Sequence, residues 1–141
     1  MSARRGTVKA LSKGTCLLST LAQEISDKKY AAGAELARTS KTYTLDRIPS
    51  GPPALKVLDV GCGTGLNAAA IRDKGHDVFG IDVSEVAVEK FRANGFEGVS
   101  CDILEGIPVE DCSFDLVFAS EVIEHVSDSD QFLRELFRVL R

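Results

Sequence analysis

The chain has 141 residues, 44% hydrophobic and 27% charged, with a formal net charge of −4. This balance fits one soluble globular domain and argues against a disordered, collagenous or coiled-coil chain. No apolar run approaches the ~20 residues that span a bilayer, and the acidic excess disfavours a surface that coats nucleic acid.

Residues 1–23 carry Arg4, Arg5, Lys9 and Lys13 and no acid, which leaves 13 basic against 21 acidic groups in the remainder. A solvated, disordered tail is the expectation here, with an organelle-targeting leader as the alternative. Residues 24–53 read as a helical appendage and linker. Leu21, Ile25, Ala32, Leu36 and Ala37 fall near one face of a helix over 21–38, which Gly33 weakens. Ile48-Pro49-Ser50-Gly51-Pro52-Pro53 then breaks the chain. Cys16, Cys62, Cys101 and Cys112 form no C-x-x-C pair, so free thiols in a reducing, cytoplasmic setting are expected.

From residue 54 the pattern becomes regular. Leu55 to Val60 reads as a buried strand, and Leu66 to Lys74 as a helix stopped by Gly75. Asp77 to Asp82 is a second strand, and Ser84 is placed to cap a helix from Glu85 to Ala93, ended by Asn94-Gly95. Gly98 to Asp102 and Phe114 to Ala119 read as a third and a fourth strand. After Ser127-Asp128 comes a helix with Phe132, Leu133, Leu136, Phe137, Val139 and Leu140 on its apolar side. The order β-α-β-α-β-β-α with short connections predicts an α/β, Rossmann-like parallel sheet with helices on both faces. Ligands bind such sheets at the C-terminal edge of the strands.

Gly61-Cys62-Gly63-Thr64-Gly65 joins the first strand to the first helix of this unit. Glycine tolerates positive φ and lets backbone approach a ligand closely. The dinucleotide fingerprint would need glycine at 66, where this chain has Leu66. Asp59, two residues before Gly61, would repel a pyrophosphate and suits a ligand with ammonium and sulfonium groups. Asp82 ends the second strand, where a carboxylate can accept bonds from ribose hydroxyls. Asp102 ends the third, within reach of an adenine amino group, with Ile103 beside it to pack on the ring. The plain alternative is that Asp82 and Asp102 only cap turns.

Val57-Leu58-Asp59-Val60-Gly61-Cys62-Gly63-Thr64-Gly65 resembles the first motif of class I S-adenosylmethionine-dependent methyltransferases. Gly80-Ile81-Asp82-Val83-Ser84 resembles the ribose-binding segment of that family. Phe114-Asp115-Leu116-Val117-Phe118 through Val126 resembles the fourth-strand motif of its type 11, small-molecule branch. The resemblance implies that the glycine loop holds the methionine part, Asp82 the ribose and Asp102 the adenine. The candidate cofactor contacts are Asp59, Gly61, Cys62, Gly63, Gly65, Asp82, Val83, Asp102, Ile103, Ser120 and Glu121. The family's domain has seven strands, whereas four are read here before Arg141. The resemblance therefore implies a C-terminally incomplete domain. Its open fourth-strand edge calls for self-association or a covering partner.

Ser120-Glu121-Val122-Ile123-Glu124-His125 follows the fourth strand. If helical, it puts Glu121, Glu124 and His125 on one face, a ligand set for Mg²⁺ or Mn²⁺. The same E-x-x-E-H pattern resembles the metal-ligand set of ubiquinone-pathway and small-RNA O-methyltransferases. The alternatives are a pocket-lining Glu121 and a locally bonded His125, or His125 as a metal-free general base. The expected function is S-adenosylmethionine-dependent methyl transfer to a small-molecule acceptor, at oxygen. A non-catalytic cofactor-binding or interaction module and an NAD-dependent oxidoreductase are the alternatives.

Overall fold

The computed structural model describes residues 23–28 and 42–141. The basic leader to residue 22 and most of the helix expected over 21–38 lie outside the described residues. Residues 23–28 of that expected helix are helical and are labelled α1. Then follow α2 (Thr42–Asp46), β1 (Lys56–Val60), α3 (Leu66–Asp73), β2 (Asp77–Asp82), α4 (Glu85–Ala93) and β3 (Glu97–Ser100). A 3-10 turn over Ile103–Glu105, β4 (Leu116–Ala119), a second 3-10 turn over Ile123–His125 and α5 (Ser129–Val139) complete the order.

The sheet runs β3-β2-β1-β4, and all its pairings are parallel. Chain direction across the sheet therefore reverses between β1 and β4, which opens a crevice at their C-terminal ends. Side chains alternate across β1. Leu58 and Val60 join Ile81, Phe114, Phe132 and Val139 in the core under α5. Val57 faces the other way and packs with Leu45, Ile48, Ile71 and Phe118 beneath α2 and α3. A third cluster holds Cys62, Ala68, Phe91 and Phe96 between α3 and α4.

The helix signals act as their chemistry dictates. Ser84 Oγ accepts the Ala87 N–H at 3.1 Å and caps α4, and Asp128 accepts the Gln131 N–H to cap α5. Gly75, at φ 93°, ends α3. Two strands differ from the sequence reading. β3 ends at Ser100 because the Asp102 carboxylate takes the Leu104 N–H at 2.9 Å and starts a 3-10 turn instead. β4 starts at Leu116 because Phe114 bridges to Leu140 after α5, not to β1.

Candidate functional site

The C-terminal ends of β1 and β2 bring the glycine loop against two buried aspartates. The Gly61 and Cys62 N–H groups both donate to the Ile81 carbonyl, at 2.8 and 3.0 Å, so the loop folds over the end of β2. Gly61, Gly63 and Gly65 have φ of 70°, 52° and 101°, a region that disfavours residues with a Cβ. Gly61 is also a packing requirement, since a Cβ there would lie 2.7 Å from the Val122 methyl.

Asp82 is buried and held at both oxygens. Oδ2 accepts the Gly63 N–H at 3.0 Å, and Oδ1 accepts the Ser84 N–H at 2.9 Å. One carboxylate thus ties the glycine loop to the start of α4. Asp59 is the opposite case. It is 1% exposed, and neither carboxylate oxygen has a hydrogen-bond partner. Burial, and then the negative charge of Asp82, push its carboxyl up to about 8. Asp59, buried without a hydrogen-bond partner and facing the negative charge of Asp82, leaves a demand for positive charge. An ammonium or sulfonium ligand meets that demand, whereas a pyrophosphate does not.

The loop cysteine offers no competing chemistry. Burial, together with Asp59 and Asp82, pushes the Cys62 thiol far above its ordinary range, and Cys101 rises to about 12. Neither is a nucleophile at neutral pH. Asp102 is half-buried and starts the 3-10 turn, so the turn-capping role weighed in the sequence describes one of its oxygens. Ile103 is 7% exposed and packs into the core under α5. Val83 and Ser120 are half-buried beyond β2 and β4.

The E-x-x-E-H segment is not an α-helix. Glu121 turns the chain with φ 56°, and only Ile123–His125 form a 3-10 turn, with Glu121, Glu124 and His125 all exposed. The i, i+3, i+4 geometry of a metal set is therefore not realised. Among the described residues no three His, Cys, Asp or Glu side chains gather to hold a metal ion. The helical arrangement on which the Mg²⁺ or Mn²⁺ expectation rested is corrected accordingly.

A family model described as "Methyltransferase domain" matches residues 58–141, more than half of the chain. The chain belongs to this methyltransferase-domain family, type 11. Methyltransferase GfsG of Streptomyces halstedii is 46% identical over 94 residues, which cover 61% of this chain and 34% of GfsG. A ubiquinone biosynthesis O-methyltransferase of Hahella chejuensis is 38% identical over 95 residues, covering 63% and 40%. An S-adenosylmethionine-dependent methyltransferase structure from Mesorhizobium loti aligns with a TM-score of 0.61 at 27% identity, covering 70% of this chain and 47% of that one. The chain thus spans between a third and a half of the length of these relatives.

The sequence reading of this methyltransferase domain missed two participants. Val122 forms the floor under Gly61, a contact 61 residues apart that no local pattern announces. Asp27, on α1, reaches the start of α4: its Oδ1 accepts from Ser84 Oγ and, at 3.3 Å, from the Val86 N–H. An acid in a short amphipathic stretch carries no signal of a partner 57 residues away. Among the described residues no helix is long and apolar enough to cross a membrane.

Proposed function

We propose that this domain binds S-adenosylmethionine and transfers its methyl group to an oxygen of a small-molecule acceptor. The observation that carries the reading is the unequal pair of buried aspartates beside the glycine loop. Asp82, aligned by Gly63 and Ser84, accepts from the ribose hydroxyls, since each carboxylate oxygen can take more than one bond. Asp59, buried and unpartnered, balances the positive charge of the methionine end. Gly61, Gly63 and Gly65, with Cys62 between them, let backbone approach the ligand. Val83, Asp102 and Ile103 lie on the adenosine side, and Ser120 and Glu121 close the site beyond β4.

The cofactor supplies a methyl group already activated by its sulfonium. The protein's share is alignment of acceptor and methyl, exclusion of water, and removal of the acceptor's proton. His125, exposed beyond the C-terminal end of β4, is the proposed base. Oxygen as the acceptor atom is supported by the Hahella relative's O-methyltransferase name. The three described cysteines are free, which fits a cytoplasmic protein.

Calorimetric titration with S-adenosylmethionine and S-adenosylhomocysteine tests the site. Asp82→Ala is expected to weaken both by ~10- to 100-fold, the worth of a charge-assisted bond pair. Unchanged affinity in that variant would falsify the assignment. Transfer of labelled methyl to hydroxylated small molecules then tests turnover. Binding without transfer to any of them favours the non-catalytic module.

A further inference from the structure

We infer that α1 is coupled to the cofactor site, and that Asp27 is the positioning residue that couples it; the inference rests on the reading of Asp82 given above. The path is a continuous run of hydrogen bonds. Asp27 Oδ1 accepts from Ser84 Oγ, and the Ser84 N–H donates to Asp82 Oδ1 at 2.9 Å. Asp82 Oδ2 in turn holds the Gly63 N–H of the glycine loop at 3.0 Å. Ser84 is fully buried, so its hydroxyl has no access to water as an alternative partner.

Two further features favour coupling over simple packing. Asp27 also takes the Val86 N–H, so its charge sits on the first turn of α4, where the helix dipole favours an anion. Ser84 Oγ simultaneously accepts the Ala87 N–H, so donation to Asp27 sets the hydroxyl in the orientation that caps the helix. Meanwhile Ile25, the large apolar residue of α1, is 61% exposed. Among the described residues, α1 is therefore joined to the domain by a carboxylate more than by apolar burial, and such a join is reversible. Docking of α1 steadies the start of α4, which steadies Asp82 for the ribose. By linkage, a cofactor that uses Asp82 must favour docking of α1 by the same factor.

The test compares the unmodified chain with Asp27→Ala and Asp27→Asn. Calorimetry with S-adenosylhomocysteine measures affinity, and limited trypsin cleavage after Lys28, with and without that ligand, measures docking. Asp27→Ala is expected to weaken binding ~10-fold, and Asp27→Asn, which keeps an acceptor oxygen, by less. In the unmodified chain the ligand should slow cleavage after Lys28, and in Asp27→Ala it should not. Equal affinities in the unmodified chain and Asp27→Ala overturn the inference, even if the variant melts earlier, because Asp27 is then only a cap on α4. Ligand-independent cleavage of the unmodified chain overturns it as well, and this needs no variant to fold. If the unmodified chain binds neither form of the cofactor, the reading of the site itself falls, and the coupling falls with it.

Discussion

Asp59, next to the last residue of β1, and Asp82, the last of β2, live under opposite rules. Asp82 receives two backbone N–H groups, while Asp59 receives none and is sealed from water. An aspartate of the unfolded chain titrates near 3.8, and Asp59 in the fold near 8. Between those values the folded state holds a proton that the unfolded state has released, so stability falls as pH rises and the penalty is complete above about 8. Asp59→Asn removes the titration. Its melting temperature should exceed that of the unmodified, cofactor-free chain by several degrees at pH 8, with no gain at pH 4. Thermal melts at both pH values check this, and an equal shift at each contradicts it. The same variant should bind the cofactor more weakly, because an amide, unlike the carboxyl, has no proton to give up to balance the cofactor's charge. Asp59 would then be a residue that costs stability in return for function.

At the scale of elements, α4 lies flat on the sheet because β2 and β3 present glycines to it. A Cβ on Gly80 would lie 2.5 Å from Cζ of Phe91 and 2.8 Å from Sγ of Cys62, and one on Gly98 would lie 2.7 Å from the Gly80 carbonyl oxygen. Phe91 stacks in turn on Phe96 with ring centroids 4.8 Å apart. Gly80→Ala should cost ~1–3 kcal/mol by urea unfolding, the usual price of overpacking. Adding Phe91→Leu should recover part of that loss, whereas full additivity of the two would show that the clash lies elsewhere. α5 is tied down by charge as well as by its apolar side. Arg138 spans the Ile107 and Val109 carbonyls, Glu135 and Asp111. Burial opposes the low proton affinity of Glu135, but the Arg138 hydrogen bond dominates and holds its carboxyl below the usual range. The E-x-x-E-H segment teaches the converse. Its spacing means a common face only within an α-helix, and the left-handed turn at Glu121 prevents one.

Across the whole molecule, the site sits at one edge of the sheet and a strap closes the other. His76 Nδ1 accepts the Leu55 N–H at 3.1 Å, so Nε2 carries the proton and donates it to the Pro49 carbonyl at 2.6 Å. Lys74 Nζ donates to the Ile48 carbonyl at 2.9 Å, and the Gly51 N–H to the Lys74 carbonyl at 2.8 Å. These bonds fasten the proline-rich linker to the turn between α3 and β2. His76→Ala should cost ~1–3 kcal/mol of stability through its unmet partners and leave cofactor affinity unchanged. Chemical denaturation alongside calorimetry separates the two effects, and a loss of affinity would show that the strap and the site communicate.

Much of this was open to a reader of the chain alone. Strand and helix periodicity, the Ser84 cap, and the carboxylates at or just past successive strand ends are local properties, written in neighbouring residues. Sheet order, the orphaned burial of Asp59, the fit of Val122 under Gly61 and the reach of Asp27 to Ser84 are not. Each depends on groups brought together from far apart in the chain. Local sequence encodes what a segment prefers. Which buried polar group finds a partner, and which is left for a ligand, is decided only when the packed elements compete for the same few hydrogen bonds.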